Sequence, residues 1–126
     1  MKEVLYIFLG GGLGSVLRFL ISKVLNTQAF HLPAGTMAVN IIGSLVIGLV
    51  LGISMKSDTF SNPQLLFLTV GFCGGFTTFS AFALENLAFL KNGDYVSFAL
   101  YSLASLILGI LAVFLGFWIA KTIQFS

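Results

Sequence analysis

The chain has 126 residues, of which 58% are hydrophobic and only 8% are charged, and its mean hydropathy is +1.07. A soluble domain carries roughly 25% charged residues to solvate its surface, so this composition excludes a soluble fold. The net charge of +2 is too small for a nucleic-acid-binding surface, and one cysteine and one histidine argue against a disulfide or a His-rich metal site. We therefore expect an all-α integral membrane protein with a single transmembrane domain over residues 1–126.

Apolar segments in chain order predict a four-helix membrane domain, since one span requires about 20 apolar residues. The first segment, residues 4–25, contains Arg18 and shows no cleavage pattern of a signal peptide. Pro33 is suited to start the second helix, and the sequence "KNGD" predicts a tight turn before the fourth. The remaining predicted spans are residues 35–55, 64–90 and 95–119.

Lysine and arginine residues near the helix ends determine which way a membrane protein inserts. Four spans place Lys2, Lys56 and Lys121 on one side, and Arg18, Lys23 and Lys91 on the other. This balance gives no electrostatic preference for either orientation. Two interpretations stay open: insertion both ways round, which would give an antiparallel dimer, or a number of charges too small to decide.

The first span combines small residues with one arginine. Gly10 and Gly14, like Gly11 and Ser15, have the small-xxx-small spacing that allows two helix backbones to approach closely. Arg18 lies one turn beyond Gly14. Its side chain either extends to the membrane interface or places a fixed positive charge in a water-filled vestibule that attracts anions.

Polar residues recur at helical spacing in the second and fourth spans. Thr36, Asn40 and Ser44 follow at i, i+4, and Tyr101 and Ser105 do the same in the fourth span. An asparagine in mid-membrane often joins helices, worth about 0.6 to 2 kcal/mol, whereas its amide can also donate to an anion. Hydroxyls often bond to the carbonyl four residues earlier, so a second polar track is only one of two interpretations for the fourth span.

The third span contains "GFCGGFTTFSAF", whose Gly74-Gly75 pair predicts an interrupted helix. Non-helical backbone at membrane depth occurs only where it is buried in protein or lines a cavity. Carbonyls released at such a break can hold a cation, and the following helix N-terminus favours an anion. Hydroxyl groups surround the predicted break at Thr77, Thr78 and Ser80.

Phe79 and Phe82 follow at i, i+3 and therefore share a helix face. Such a pair is often plain packing, yet aromatic ring edges carry partial positive charge and can line an anion path. Glu85 lies one turn further and is either an interfacial charge or a carboxylate at a pore mouth.

At these residues the chain resembles the Fluc (CrcB) family of fluoride channels over nearly its whole length. The resemblance rests on "GGGLGSVLRF", "GTMAVNIIGSLVIG", "GFCGGFTTFSAFALE" and "YSLASLILG", one from each span. The third stretch is the most specific. The resemblance implies an antiparallel, dual-topology homodimer in the cell inner membrane, with two pathways that export fluoride passively.

The resemblance also implies roles for individual residues. Backbone carbonyls of Gly74 and Thr77 from both subunits would bind a structural Na⁺ on the two-fold axis. The fluoride pathway would be lined by Asn40, the ring edges of Phe79 and Phe82, and the hydroxyls of Thr78, Ser80, Tyr101 and Ser105. Arg18 and Glu85 would be the vestibule and pore-end charges. The chain departs from the family pattern at Ala81, where a threonine is common, and at Gly109, where the fourth span would carry a small polar residue.

Other functions fit the sequence less well. A small dual-topology, proton-coupled multidrug exporter requires a carboxylate deep in its first helix, and the first span has only Glu3 at its start. An accessory subunit, with polar residues that only join helices, is the second alternative. An enzyme is disfavoured, since one histidine and one cysteine supply neither a nucleophile–base pair nor a metal-ligand cluster.

Overall fold

The computed structural model describes residues 1–27 and 31–123, and every regular element in these ranges is a helix. The third transmembrane segment comprises several consecutive elements. In chain order the elements are α1 (Lys2–Leu25), α2 (Ala34–Lys56), α3 (Asn62–Leu66), a π-helical segment (Phe67–Cys73), α4 (Gly74–Phe76), α5 (Phe79–Lys91) and α6 (Tyr95–Thr122).

Within the described ranges, four helical stretches are long and apolar enough to cross a membrane. They are Lys2–Leu25, Ala34–Lys56, Asn62–Lys91 and Tyr95–Thr122. The all-helical fold with four membrane-spanning segments is therefore confirmed, and the protein is a multi-pass membrane protein.

Local sequence determines where the helices begin. Pro33 occupies the N-cap of α2, as its fixed φ favours. Ser61 and Gln64 form a reciprocal capping box, so α3 begins two residues before the predicted start of the third span. Asp94 caps α6 by accepting a hydrogen bond from the Ser97 N–H, directly after Gly93 has turned the chain with φ of 72°.

The non-helical residues of the third span are Thr77 and Thr78, which have extended backbone dihedrals of φ −87°, ψ 158° and φ −150°, ψ 121°. The sequence predicted an interruption near Gly74-Gly75, but both glycines belong to α4. Gly75 instead meets a packing requirement, because a Cβ there would collide with the backbone of Gly11. The glycine pair therefore precedes the extended residues and does not form them.

Close glycine contacts hold two helix pairs together. Gly10 and Gly14 of α1 pack on the backbone around Phe72 and Phe76, where a Cβ on either glycine would collide. The same close approach joins α2 to α6, at Gly48 and Gly116. The small-xxx-small spacing of Gly10 and Gly14 thus marks a helix contact, and it brings the end of α1 beside the third span.

Large apolar side chains cover the outside of the bundle. On α1 and α6, many of these side chains are more than half exposed, among them Phe8, Val16, Phe19, Leu103, Leu106 and Phe114. Exposing so much apolar surface to water is unfavourable, so lipid or another protein chain must cover it.

Candidate functional site

Asn40 of α2 holds the extended residues of the third span in place. Its Oδ1 accepts a hydrogen bond from the Thr78 N–H at 2.7 Å, and its Nδ2 donates to the Thr78 carbonyl at 3.1 Å. The side-chain amide therefore replaces, for Thr78, the backbone partners that a continuous helix would provide. One of its two amide hydrogens is left for another acceptor. Asn40 thus joins two helices and retains a donor.

The extended residues release backbone carbonyls. In a continuous helix the Thr78 N–H would donate to the Gly74 carbonyl, and the Ala81 N–H to the Thr77 carbonyl. Here the first N–H donates to Asn40 and the second to Thr78 Oγ1, at 3.2 Å. Gly74 and Thr77 also line a cavity of 240 Å³, together with Gly43 and Ser44 of α2. Two carbonyl groups have therefore lost their helical donors beside an open volume.

Arg18 binds a third carbonyl at the same place. Its Nε donates to the Gly75 oxygen at 2.9 Å, and Ser15 Oγ donates to the same atom at 3.4 Å. In a continuous helix this carbonyl would accept from the Phe79 N–H. Sequence reasoning offered an interfacial or a vestibule charge for Arg18 and missed this bond. One feature of the sequence could have indicated this bond: Arg18 lies one turn beyond Gly14, and Gly14 packs on the Gly75–Phe76 backbone.

Glu85 lies between α2 and α6 and is not a free interfacial charge. Thr36 Oγ1 donates to its Oε2 at 2.7 Å, and the Tyr101 hydroxyl donates to its Oε1 at 2.9 Å. Thr36 is 2% exposed and Tyr101 is fully buried. The three side chains form a closed polar group at one end of the bundle, and the Thr36–Glu85 bond was not predicted.

Asn26, which sequence reasoning also missed, extends this polar group. Its Oδ1 accepts from the Gly35 N–H at 2.6 Å and from the Thr36 N–H at 3.3 Å, and its Nδ2 donates to Thr36 Oγ1 at 3.3 Å. It therefore caps the start of α2 from the end of α1. A cap is recognisable in sequence only where it directly precedes its helix, and Asn26 lies eight residues before Ala34.

The two phenylalanines meet as their spacing predicts. The ring centroids of Phe79 and Phe82 are 5.7 Å apart, and Phe82 packs in turn on Tyr101 at 5.1 Å. Phe79 is 79% exposed on the outside of the bundle. The chain alone therefore partly buries Phe82 but leaves most of Phe79 exposed.

The remaining predicted hydroxyls lie on both sides of these rings. Thr78 Oγ1 and Ser80 Oγ are 3.3 Å apart at the start of α5. Ser105 lies one turn after Tyr101 on α6, and its buried Oγ has no hydrogen-bond partner among the described residues. Ser44 bonds to the Asn40 carbonyl of its own helix at 2.7 Å. Thr78 and Ser80 therefore lie together at the start of α5 and Phe82 packs on Tyr101, whereas Gly74 and Thr77 line a separate cavity.

Comparison with known proteins agrees with the motifs. The family described as CrcB-like protein, Camphor Resistance (CrcB), matches residues 5–117. The chain is 48% identical over 126 residues to a protein of Gloeothece citriformis named fluoride-specific ion channel FluC, with 96% of this chain and 98% of the relative covered. A protein of the same name from Bacteroides fragilis is 49% identical over 125 residues, with 96% and 98% covered.

A more distant relative shows the same coverage. A protein of Leptospira interrogans, also named fluoride-specific ion channel FluC, is 40% identical over 121 residues and matches 95% of each chain. The matches run through all four spans. The chain belongs to the CrcB family.

Proposed function

We propose that the protein is a fluoride-selective channel that lets fluoride leave the cell passively across the inner membrane. The observation that carries the proposal is the set of neutral polar side chains and aromatic rings at and after the extended residues: Asn40 holds Thr78, Thr78 lies beside Ser80, and Phe82 packs on Tyr101. We refer to these five residues as the polar line. Relatives named as fluoride-specific channels, 40–49% identical over nearly the whole chain, support the choice of ion.

The residue types suit a small, strongly hydrated anion. Amide and hydroxyl groups are neutral donors that replace lost water, and binding must stay weak enough for the ion to leave. The position of Arg18 matters here. Its Nε donates to the Gly75 carbonyl at 2.9 Å, so part of its guanidinium already has a partner within the protein. A free arginine in the path would hold the ion too firmly for conduction.

We further propose that the working unit is an antiparallel, dual-topology homodimer with two fluoride pathways. Phe79 supports this proposal, because a ring that is 79% exposed on one chain needs a second chain to line an enclosed path. The exposed apolar faces of α1 and α6 and the balanced charges at the helix ends agree with it. Each pathway would then combine residues of both copies.

A structural Na⁺ fits the released carbonyls of Gly74 and Thr77. Both have lost their helical donors, both line the 240 Å³ cavity, and neutral carbonyl oxygens at a helix interruption are the ligands that transporters use for Na⁺. When bound, the ion would supply positive charge that offsets the carbonyl dipoles. In this proposal Asn40 keeps the Gly74 carbonyl free by accepting from the Thr78 N–H, and Thr78 Oγ1 keeps the Thr77 carbonyl free by accepting from the Ala81 N–H.

The proton-coupled exporter is not favoured. Within α1 the only carboxylate is Glu3 in the first turn, while the residue facing the third span is Arg18. A protein with this arrangement has no acidic group deep in that helix for which proton and substrate can compete.

Ion efflux from liposomes tests the proposed function. The purified protein is reconstituted into liposomes loaded with potassium fluoride or potassium chloride, and a K⁺ ionophore is added to allow charge balance. We expect rapid fluoride release and little chloride release, with protein-free liposomes as the control. Equal release of both ions, or no fluoride release, would overturn the proposal.

A further inference from the structure

His31 joins distant parts of the chain at one end of the bundle. Its Nε2 lies 3.1 Å from Asp94 Oδ2 and 2.5 Å from Ser97 Oγ, both at the start of α6. Its ring also lies 6.4 Å from that of Phe89 near the end of α5. The connection between α1 and α2 is thereby attached to the turn between α5 and α6.

The same histidine lines a cavity that leads to Glu85. This cavity has a volume of 340 Å³ and is lined by Asn26, Thr27, His31, Leu32, Pro33, Glu85, Ala88 and Phe89. Glu85 is bonded in turn to the Tyr101 hydroxyl, which belongs to the polar line described above. In the proposed channel this cavity would therefore be an entrance to the pathway, and His31 is one of its lining residues.

The charged groups around His31 are mostly acidic. Asp94 faces it from α6, and Glu85 faces the shared cavity from α5. The adjoining residues at the end of α1, Asn26 and Thr27, are neutral. The basic residues of these elements are Lys23 and Lys91, in the last turns of α1 and α5. An entering anion thus meets two carboxylates, and His31 is the group beside them that gains charge near neutral pH.

We propose that His31 is a protonation-dependent entry residue: in its charged form it pairs with Asp94, lowers the negative charge at the mouth of the Glu85 cavity and speeds anion entry. This inference rests on the proposed channel function and adds a regulatory group to it. In an antiparallel dimer one such mouth opens on each side of the membrane.

Protonation of His31 makes the mouth of the cavity less negative. Hydrogen bonds from Ser97 lower the pKa of the Asp94 carboxyl, so Asp94 stays ionised between about pH 5.5 and 7.5. Over that range a histidine changes from charged to neutral. A unit charge about 8 Å from an anion in water changes its local concentration roughly twofold to threefold. Fluoride entry should therefore rise by about that factor on acidification.

The flux experiment compares the unmodified chain with His31→Gln at pH 5.5 and 7.5, the same pH on both sides, after subtracting release from protein-free liposomes at each pH. We expect the unmodified chain to release fluoride roughly two to three times faster at pH 5.5 and His31→Gln to lose this difference. The difference should shrink at high salt, because both side chains are accessible, at 75% and 33% exposure. Fluoride release with the same pH dependence in both proteins would overturn the inference and leave the channel function standing.

A second measurement tests the pairing without any flux. His31 is the only histidine in the sequence, so its imidazole signals in a nuclear magnetic resonance titration are unambiguous. Asp94→Asn removes the charge but keeps a good helix-capping residue. We expect the imidazole signals of His31 to move in Asp94→Asn at pH 5.5, because the ring loses a partner at 3.1 Å, and unchanged signals would overturn the pairing. If the unmodified chain releases no fluoride at either pH, the channel function fails, and this titration still decides whether His31 pairs with Asp94.

Discussion

The side-chain amide of Asn40 bonds to both backbone groups of Thr78, with its Oδ1 at 2.7 Å from the N–H nitrogen and its Nδ2 at 3.1 Å from the carbonyl oxygen. One residue of α2 therefore stabilises the extended backbone of the third span and diverts the Thr78 N–H from the Gly74 carbonyl. The amide therefore positions Thr78, whose hydroxyl lies beside that of Ser80, and leaves the Gly74 carbonyl without its helical donor.

Asn40→Asp tests this relationship with a nearly isosteric change. The aspartate has no Nδ2 to donate to the Thr78 carbonyl, and it adds negative charge beside a path for an anion. We expect fluoride efflux to fall by roughly tenfold or more, since removing a donor to a buried acceptor costs about 1–3 kcal/mol. Ser54→Ala, which removes only a hydroxyl bond to the Leu51 carbonyl of the same helix, is the matched control. Normal efflux in Asn40→Asp would show that the amide merely joins helices.

Phe79→Ala distinguishes a pathway residue from a packing residue. Phe79 is 79% exposed on the isolated chain, so truncation removes little packing within it, and we expect a large loss of fluoride efflux with the dimer intact on size-exclusion chromatography. Phe19→Ala on α1 is the control, a ring that is 62% exposed away from the polar line. Equal and small effects of the two substitutions would contradict a role of Phe79 in the pathway.

Arg18→Gln tests the bond to the Gly75 carbonyl. Loss of a charged donor to a half-buried acceptor should cost about 1.5–3 kcal/mol of stability, seen as a lower thermal midpoint in detergent. Lys23→Gln, in the last turn of the same helix, removes a charge of the same sign and should change the midpoint little. If both variants melt alike, Arg18 acts only through its charge.

The proposed Na⁺ site predicts a cation-specific gain in stability. A ligand that binds only the folded protein stabilises it by about 2.7 kcal/mol at 100 times its dissociation constant. We expect the thermal midpoint to rise when Na⁺ replaces K⁺ at constant ionic strength. Equal midpoints in the two salts, over a wide range of concentrations, would argue that the carbonyls of Gly74 and Thr77 hold no Na⁺.

Hydropathy was sufficient to predict the helices, because each span is apolar over its whole length and bounded by polar turns. The contacts of the candidate site were harder to predict from the sequence. Arg18 and Gly75 are 57 positions apart, and Thr36 and Glu85 are 49 apart, so each bond depends on how two packed helices are aligned. The glycine pair was conspicuous in the sequence, but it lies in α4, where Gly75 packs on Gly11, and the extended residues are Thr77 and Thr78.

Motif reasoning proposed Asn40, Phe79 and Phe82 as site residues because helical spacing places polar or aromatic residues on one face. It gave Asn40 two interpretations and could not choose, since the partner of its amide is a backbone group. A backbone partner cannot be recognised from residue type, because nearly every residue carries the same backbone groups. For that reason the role of Asn40 at Thr78 became visible only from the arrangement of α2 and the third span.

The π-helical segment Phe67–Cys73 has a consequence for tolerance to insertion and deletion. A π-turn contains more residues than an α-turn, and such segments are frequent near functional sites. If the same residues wound as an ordinary α-helix, which turns about 100° per residue, everything downstream would rotate about the helix axis and carry the Gly75 carbonyl away from Arg18. The π-helical winding therefore sets the direction in which that carbonyl faces. An added residue in this segment should disturb the site, whereas the loss of one residue is the change that a return to α-helical winding can absorb.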